Sequence, residues 1–522
     1  MEKGNKQPLL SSLERDEDKQ HSLSGRVIAI AATTTTTTSS FFATYKADSN
    51  DIPPITGVRD FFREFYNEFK KLWYLAGPAI FTSICQYLLS GITQLFCGHI
   101  STIAQAAYSV EDYALGLLSY GAMLGMGSAL ETLCGQAYGA GQINMLGIYM
   151  QRSMVILHMT ALIFMFVYIF AEQILNLIGQ SPEISKATGK FSIWMIPQLF
   201  AFAGVFPVSK FLQAQSKIMV MMVISAVVLV LHTLFSWLLM LKLGWGLVGA
   251  AVVLNASWWI IEISQFLYVV SGTCGRAWSG FSWRAFQNLW GFIRLSLASA
   301  LMLCLEMWYF MVLIIFAGYL ENPKVSVDAM SICMNILGCA VMVAVGLNAA
   351  ISVRVSNELG AGHPRSAQFS LFVAVISGFL MGLVFSLILF FKRDQYPSLF
   401  SKDKQVRELV SALTPLLAIS LTTDSIQPVL SGVAIGAGWQ SVVAYVNIAC
   451  YYILGIPLGL ILAYKFDMGI KGIWWGMISG TVVQTCVIFW MIYKTNWNNE
   501  ASIVEERIRR WGGDTDTGPD PQ

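Results

Sequence analysis

Twelve long runs of apolar residues constrain the fold of this chain more than any other feature of its sequence. A helix needs about 20 apolar residues to cross the hydrocarbon core of a membrane. The runs lie near residues 72–97, 104–134, 147–171, 191–213, 217–241, 246–270, 291–318, 327–350, 366–391, 408–434, 440–464 and 470–493. The sequence therefore predicts an all-α membrane protein with twelve transmembrane helices.

Composition supports this fold class. Hydrophobic residues make up 55% of the chain and charged residues 12%, whereas soluble globular proteins are about 25% charged. The formal net charge is only +2, so no overall field favours nucleic acid or an acidic partner. The nine cysteines lie mostly within apolar runs and lack CxxC or His-rich spacing, a pattern that favours small buried side chains over disulfides or a metal site.

The chain also contains an internal repeat. Residues 138–141 (Tyr-Gly-Ala-Gly) reappear as residues 359–362 (Leu-Gly-Ala-Gly), and subtraction of the residue numbers gives the offset, 360 − 139 = 221. Two further pairs keep the same register, Pro78 with Ser299 and Pro207 with Pro428. Six runs in each half predict two homologous six-helix lobes. This plan is typical of secondary transporters, whose halves move about a shared cavity near the midplane of the bilayer.

The remaining segments connect or flank the lobes. Residues 1–60 are charged and low in complexity, which predicts a disordered arm, and residues 505–510 predict a short polar helix. Of the 33 Lys and Arg residues, about 22 lie on the side of the termini, so the positive-inside rule places both termini in the cytoplasm. The predicted parts are an N-terminal arm (1–60), a first lobe (61–270), an interfacial linker rich in Arg and Trp (271–290), a second lobe (291–493) and a tail (494–522).

Ionisable groups at membrane depth are costly and usually functional, which directs attention to two acids. Glu306 lies in the middle of the seventh run, with no basic residue in that run after Arg294. Asp424 lies in the tenth run, four residues before Pro428, which frees a backbone carbonyl and kinks the helix. Two carboxyl groups facing one cavity repel each other when both are ionised, so one of them keeps a proton. We predict that Glu306 and Asp424 bind a coupled proton; the alternative is that each is only hydrogen-bonded within helix packing.

Other polar and aromatic residues are candidates to line a solute cavity. Glu111 and Asp112 are adjacent and cannot share one helical face, so we expect one to face the cavity and the other to face helix packing or headgroups. Aromatic side chains suit a flat amphipathic ligand, although an aromatic stripe is more often helix packing. The cavity candidates are Asn335, Asn348, Gln427, Trp308, Tyr309, Glu111 and Asp112.

A third group of residues suggests structural or gating roles. Glu131 and Glu358 lie beside the Gly-rich turns, where pairing with Arg152, Arg354 or Arg365 is the simplest expectation and gating is the alternative. The full set of predicted structural and gating positions is Gly139, Gly141, Glu131, Glu358, Gly360, Gly362, Pro207 and Pro428.

Three stretches resemble the signatures of plant multidrug and toxic compound extrusion (MATE) transporters: residues 130–141, residues 354–362, and residues 427–434 with Gly438-Trp439-Gln440. The resemblance implies two six-helix lobes around a V-shaped cavity, exchange of protons for organic solutes, and proton-site acids at Glu306 and Asp424. The chain departs from the family pattern at Met311, where many members carry a second Glu, and at Glu111-Asp112, which replace a small neutral stretch. It also lacks the first-helix acid of prokaryotic relatives.

Residues 331–334 and 348–354 are most similar to the subgroup that includes vacuolar flavonoid transporters. This similarity implies flavonoid glycosides, related plant metabolites or xenobiotics as solutes, and the vacuolar or plasma membrane as location. We therefore predict a proton-coupled antiporter, not an enzyme, that works as a monomer by alternating access, needs membrane lipid and the proton gradient, and requires no cofactor or metal. One alternative is a passive chloride or nitrate channel, which would need an electropositive path. Another is a lipid flippase, which would need a strongly basic cavity.

Overall fold

The structure is a computed structural model that describes residues 50–287, 289–320 and 323–511. Within these ranges twelve helices are long and apolar enough to cross a membrane, which confirms the predicted all-α fold. They are α1 Val58–Ile100, α2 Thr102–Gly139, α3 Asn144–Ile169, α4 Pro182–Ala214, α5 Ile218–Lys242, α6 Gly246–Thr273, α7 Leu289–Ala317, α8 Pro323–Gly360, α9 Pro364–Phe391, α10 Lys404–Ala437, α11 Gln440–Lys465 and α12 Gly469–Lys494. A thirteenth helix, α13, spans Trp497–Arg510.

Several helices begin earlier than their sequence pattern predicts, among them α1 and α13. α1 begins at Val58 rather than near residue 72, because its first turns carry charges such as Arg63 and Glu64 that a search for apolar runs rejects. α13 begins at Trp497 rather than near residue 505, since the Asn496 side chain accepts hydrogen bonds from the first backbone N–H groups and caps the helix.

The predicted disordered arm and tail are described only in part. Residues 50–60 are ordered, with Asp51 bonded to the start of α9 and α1 already begun. This corrects the prediction for that stretch. Residues 1–49 of the predicted arm and residues 512–522 of the predicted tail lie outside the described residues.

Contacts between the lobes follow the sequence repeat. Gly125 of α2 lies against the backbone of Ala300 in α7, and Gly346 of α8 lies against Ile80 in α1. The two glycines are related by the repeat offset, 346 − 125 = 221. Glycine has no Cβ, so two helix backbones can approach closely at these positions. The repeat thus supplies one close helix crossing from the second helix of each lobe.

The two Gly-Ala-Gly segments meet at one end of the molecule, which we call the motif end. Gly139 at the end of α2 lies against the backbone carbonyl of Asn357, and Gly360 at the end of α8 lies against the backbone carbonyl of Gln136. A side chain at either glycine would overlap that carbonyl. The repeated motif therefore brings the ends of α2 and α8 into backbone contact across the lobes.

Gly141 and Gly362 each make the backbone turn that follows this contact, and they do so with the same conformation. Both have a φ of +75°, a left-handed conformation that glycine adopts without steric cost. The chain therefore turns sharply after α2 and after α8 at equivalent positions.

The outer faces of the helices carry large apolar side chains. In α9, for example, Leu380, Val384 and Ile388 are all more than half exposed, and their spacing of four residues places them on one helical face. In water such a surface would be an apolar patch, whereas lipid tails cover it without penalty. These faces mark the surface that contacts the bilayer.

Candidate functional site

The structure brings Glu306 of α7 and Asp424 of α10 together inside the second lobe. Glu306 is half-buried and forms a side-chain hydrogen bond with Gln427, which lies one turn after Asp424. Asp424 is 8% exposed and interacts electrostatically with Glu306. Its Oδ2 atom has no hydrogen-bond partner among the described residues. In the described part of the chain, neither carboxyl group faces a basic side chain.

Pro428 interrupts the backbone ladder of α10 at the position of Asp424. Proline has no N–H group, so the carbonyl of the residue four positions earlier, Asp424, loses its helical donor. The Pro428 carbonyl accepts a hydrogen bond from Asn348 Nδ2 at 2.7 Å, which ties α8 to α10. Pro207 occupies the equivalent position in α4, where the residue four positions earlier is Ala203. Both lobes thus carry the helix interruption, but the second lobe adds an acid to it.

The two adjacent aromatic candidates of α7 have different surroundings. Tyr309 is fully buried, stacks on Tyr451 with ring centroids 4.4 Å apart, and donates to backbone carbonyls of α12 at 3.0 and 3.1 Å. Trp308 is 39% exposed. It shares a helical face with the exposed side chains of Leu297, Leu301 and Ile315. The structure therefore places Tyr309 in the packing beside the acids and Trp308 on an apolar outer face.

Asn335 is exposed on the side of α8 that approaches α1. Gly338 and Gly346 share that helical face, and they contact Tyr87 and Ile80 of α1. Asn335 lies one turn further from the motif end than Gly338. Its side chain is therefore exposed beyond the contacts of α8 with α1, in contrast to Asn348, whose amide donates to the Pro428 carbonyl within the second lobe.

Glu111 and Asp112 lie in a π-helical turn of α2, and each contacts a neighbouring helix; that one of them faces a solute cavity stays a prediction. Glu111 is 3% exposed and hydrogen-bonded to Tyr168 of α3, whereas Asp112 is half-buried and hydrogen-bonded to Ser90 of α1. π-helical turns within α-helices often occur at functional sites. The equivalent stretch of α8 is regular α-helix, so this polar cluster belongs to the first lobe alone.

Glu131 forms a buried ion pair, but its partner is not one of the predicted arginines. It lies 2.5 Å from Lys210 of α4. Arg152 instead donates to the backbone carbonyl of Arg284 in the linker at 3.2 Å. Glu131 pairs with Lys210 because α4 packs directly against α2, whereas the Arg152 side chain extends toward the linker.

Glu358 pairs with Arg354, as predicted, in a network that includes a residue the sequence did not indicate. Arg354 lies 2.8 Å from Glu358 and 2.9 Å from Glu68 of α1, and His363 lies 3.1 Å from Glu358. Glu68 precedes the first apolar run, so it is not among the acids that lie within apolar runs of the sequence. Arg365, the third predicted arginine, instead lies 3.4 Å from Asp51.

Hydrogen bonds between the lobes concentrate at the motif end and repeat there. Gln136 of α2 donates to the carbonyl of Gly436 near the end of α10 at 2.9 Å, and Asn357 of α8 donates to the carbonyl of Ala214 at the end of α4 at 3.2 Å. Gln136 and Asn357 are themselves related by the repeat offset (357 − 136 = 221). Each lobe thus uses a side chain of its second helix to hold the end of the fourth helix of the other lobe.

Comparison with known proteins gives one family. The MatE family model matches residues 78–238 and 298–461, one match in each lobe. The chain is 65% identical over 465 residues to Protein DETOXIFICATION 29 of Arabidopsis thaliana, covering 89% of this chain and 93% of that protein. It is 63% identical over 467 residues to Protein DETOXIFICATION 32 of the same plant, covering 90% of each.

Solved structures agree with this result. The crystal structure of the eukaryotic MATE transporter AtDTX14 aligns with a TM-score of 0.81 at 34% identity, covering 85% of this chain and 99% of that one. An outward-facing multidrug resistance MATE family transporter aligns with a TM-score of 0.74 at 15% identity, covering 84% of this chain and 97% of that one. The second likeness concerns the fold alone.

Proposed function

Because the chain belongs to the MATE family of integral membrane transporters, we propose that it exchanges protons for organic solutes by alternating access. The observation that carries this proposal is the carboxyl pair of Glu306 and Asp424, held beside Gln427 in the second lobe without a basic partner among the described residues. Ionised carboxyl groups in such a place are compensated only by binding a proton or a cation.

The proton is proposed to act at the interruption in α10. Two neighbouring carboxyl groups repel when both are ionised, so they hold one proton between them more readily than none. Gln427 can donate to an ionised carboxyl group or accept from a protonated one. Asp424 stands where the backbone ladder of α10 is already broken, so a change in its hydrogen bonding costs little helical structure. Proton loading there would shift α7 against α10.

The solute is proposed to enter between α1 and α8, beyond their glycine contacts, where the exposed Asn335 offers an uncharged hydrogen-bonding group. Relatives named for detoxification, at 65% and 63% identity, support organic solutes. We take flavonoid glycosides or related plant metabolites as the class, with the vacuolar membrane as location. The motif end, from which both terminal segments leave, is then the cytoplasmic end.

Uptake by purified protein in lipid vesicles tests this function. With an imposed pH gradient, wild-type protein should accumulate a flavonoid glycoside, and Glu306→Gln should reduce gradient-driven uptake at least about tenfold, because the amide keeps the shape but cannot ionise. Glu262→Gln is the matched control, since Glu262 is also half-buried at membrane depth but packs against Gly204 with no charged neighbour in the described part of the chain.

Two results would contradict the proposal. One is full proton-driven uptake by Glu306→Gln. The other is a chloride or nitrate current that needs no pH gradient and is unchanged in Glu306→Gln, which would favour the channel alternative.

A further inference from the structure

We infer that α13 is a one-sided lock on the motif end, and that Arg507 is the residue through which it holds the two lobes together. The inference rests on the alternating-access function proposed above, because a lock matters only if the motif end must open. It concerns a residue outside the twelve membrane helices and outside the proton site.

A single guanidinium group bridges the lobes. Arg507 Nη1 donates to Gln136 Oε1 of α2 at 3.0 Å and to the backbone carbonyl of Ala437, the last residue of α10, at 3.1 Å. Gln136 belongs to the first lobe and Ala437 to the second. Hydrogen bonds from a charged donor are about twice as strong as neutral ones, so this bridge reinforces the Gln136 bond to α10.

The end of α10 is shaped to admit this side chain. Gly438 caps the helix with a φ of +85°, and a Cβ at that position would overlap the Arg507 guanidinium. Carbonyl groups at a helix C-terminus lack helical donors and carry partial negative charge, so they attract a cation. Glycine at position 438 therefore serves both the backbone turn and the Arg507 site.

The rest of α13 is fastened to the second lobe. Val504 and Ile508 are buried at 0% and 7% exposure. Glu500 accepts a hydrogen bond from Trp439 Nε1 at 3.1 Å, and Trp511, directly after the helix, packs edge-on against Phe292 of α7. α13 should therefore move with the second lobe, and the bond from Arg507 to Gln136 must break when the lobes separate at the motif end.

The bond from Arg507 to Gln136 has no equivalent at the repeat-related residue of the other lobe. Asn357 is the counterpart of Gln136, yet its Oδ1 atom is buried without a hydrogen-bond partner among the described residues. The repeat offset places Phe286 of the linker (507 − 221 = 286) as the counterpart of Arg507, and a phenylalanine offers no cation. One of two equivalent sites is thus occupied by a charged donor and the other is not.

Distance measurements on the full chain in lipid nanodiscs test the lock. Labels on unnatural amino acids at Asn144 and Ser441, both exposed at the motif end, report closure there. A second pair at Leu177 and Leu399, which are 87% and 82% exposed, reports the opposite end. Arg507→Ala should raise the ratio of open to closed molecules at the motif end about tenfold, the change that about 1.4 kcal/mol produces, and should reduce the open fraction at the opposite end.

Arg509→Ala is the matched control, because Arg509 lies on the same helix but is 64% exposed and pairs with Glu505 of that helix at 3.7 Å. A Gln136→Ala background gives a second test: there, Arg507→Ala should have a clearly smaller effect, since the partner is already gone. Identical distance distributions for Arg507→Ala and Arg509→Ala, or effects of Arg507→Ala and Gln136→Ala that simply add, would overturn the inference.

The readout separates this inference from the proposed function. If Glu306→Gln keeps full proton-driven uptake while Arg507→Ala opens the motif end, the proton site is wrong and the lock stands. If Glu306→Gln loses gradient-driven uptake as expected and Arg507→Ala leaves the distances unchanged, the inference about the lock is wrong and the proposed proton site stands.

Discussion

Two kinds of buried charge occur among the residues of this protein. Glu306 and Asp424 face each other without a basic partner in the described chain, whereas Arg354 lies between Glu68 and Glu358. A buried charge that loses its partner is strongly destabilising, because its desolvation is no longer compensated. The first arrangement suits reversible proton binding, and the second suits fixed contact between α1 and α8.

Arg354→Gln should therefore lower the free energy of unfolding by about 3 to 5 kcal/mol, since it leaves Glu68 and Glu358 buried without their shared cation. Arg365→Gln should cost less than about 1 kcal/mol, because the Arg365 side chain is 54% exposed where it pairs with Asp51. Denaturation of both variants in the same detergent micelles gives the comparison. Equal losses would show that burial does not set the strength of these pairs.

The sequence identified single residues better than it identified their contacts. Glu306 and Asp424 are acids within apolar runs, and the structure brings them together; Glu262, a third acid within such a run, was not identified. Lys210 and Glu68 were missed as partners, because which side chains meet across helices depends on how the helices pack, and apolar periodicity does not fix that. Trp308 and Tyr309 are both aromatic, so the sequence alone does not show which one is buried. Their different surroundings depend on how α7 is rotated about its axis.

Among the helices, the contact of α2 with α8 depends on the absence of side chains. Gly139→Ala and Gly360→Ala should each weaken the closed arrangement to a similar extent, because each added Cβ would overlap a backbone carbonyl of the other helix. Gly91→Ala in α1, where a Cβ meets no atom within 4 Å, should be neutral or stabilising by up to about 1 kcal/mol. Thermal unfolding of the three variants is the measurement. A large loss for only one of the two motif glycines would argue against the symmetric contact.

The start of α9 is held by a residue from before α1. Asp51 Oδ1 accepts hydrogen bonds from the backbone N–H and the hydroxyl group of Ser366, both at 2.8 Å. Burial raises the pKa of Asp51, but the hydrogen bonds from Ser366 and Arg365 lower it more, so its pKa lies below the ordinary value. The cap therefore stays ionised throughout the physiological range.

Asp51→Ala should lower stability by about 1 kcal/mol, the usual effect of losing an N-terminal helix cap. Because the folded pKa is lowered, this contribution is present above the unfolded pKa and is lost only as the pH falls through the folded one. The difference in melting temperature between wild type and Asp51→Ala should then be the same at about pH 5.5 and about pH 7.5. A difference that disappears at the lower pH would contradict the capping role.

For the whole molecule, the sequence predicted the fold because twelve apolar runs and one constant offset leave few alternatives. The same offset relates Gly125 to Gly346 and Gln136 to Asn357. The sequence repeat therefore already contains the residues that make equivalent contacts between the lobes. The position of α13 could not be predicted in this way. The residues at the equivalent offset lie in the linker rather than in a long helix, and the docking of α13 depends on a tertiary surface that apolar periodicity does not describe.

The two lobes also differ in their acids, and this asymmetry predicts where protons act. Glu306 and Asp424 lie in the second lobe, and the residues at equivalent positions of the first lobe are Cys85 and Ala203 (306 − 221 and 424 − 221). Asp424→Asn should shift the pH dependence of solute uptake or stop uptake, since a proton can no longer be shared between two carboxyl groups.

Glu111→Gln and Asp112→Asn should have milder effects on the same measurement if the first-lobe cluster only packs helices or contacts solute. Their hydrogen bonds to Tyr168 and Ser90 can be kept by an amide, which removes the charge but preserves the shape. Uptake rates of the three variants, measured in vesicles over a series of internal and external pH values, make the comparison. If the first-lobe substitutions abolish the pH dependence while Asp424→Asn leaves it intact, the proton binds in the first lobe, and the π-helical turn of α2 rather than the interruption of α10 is its site.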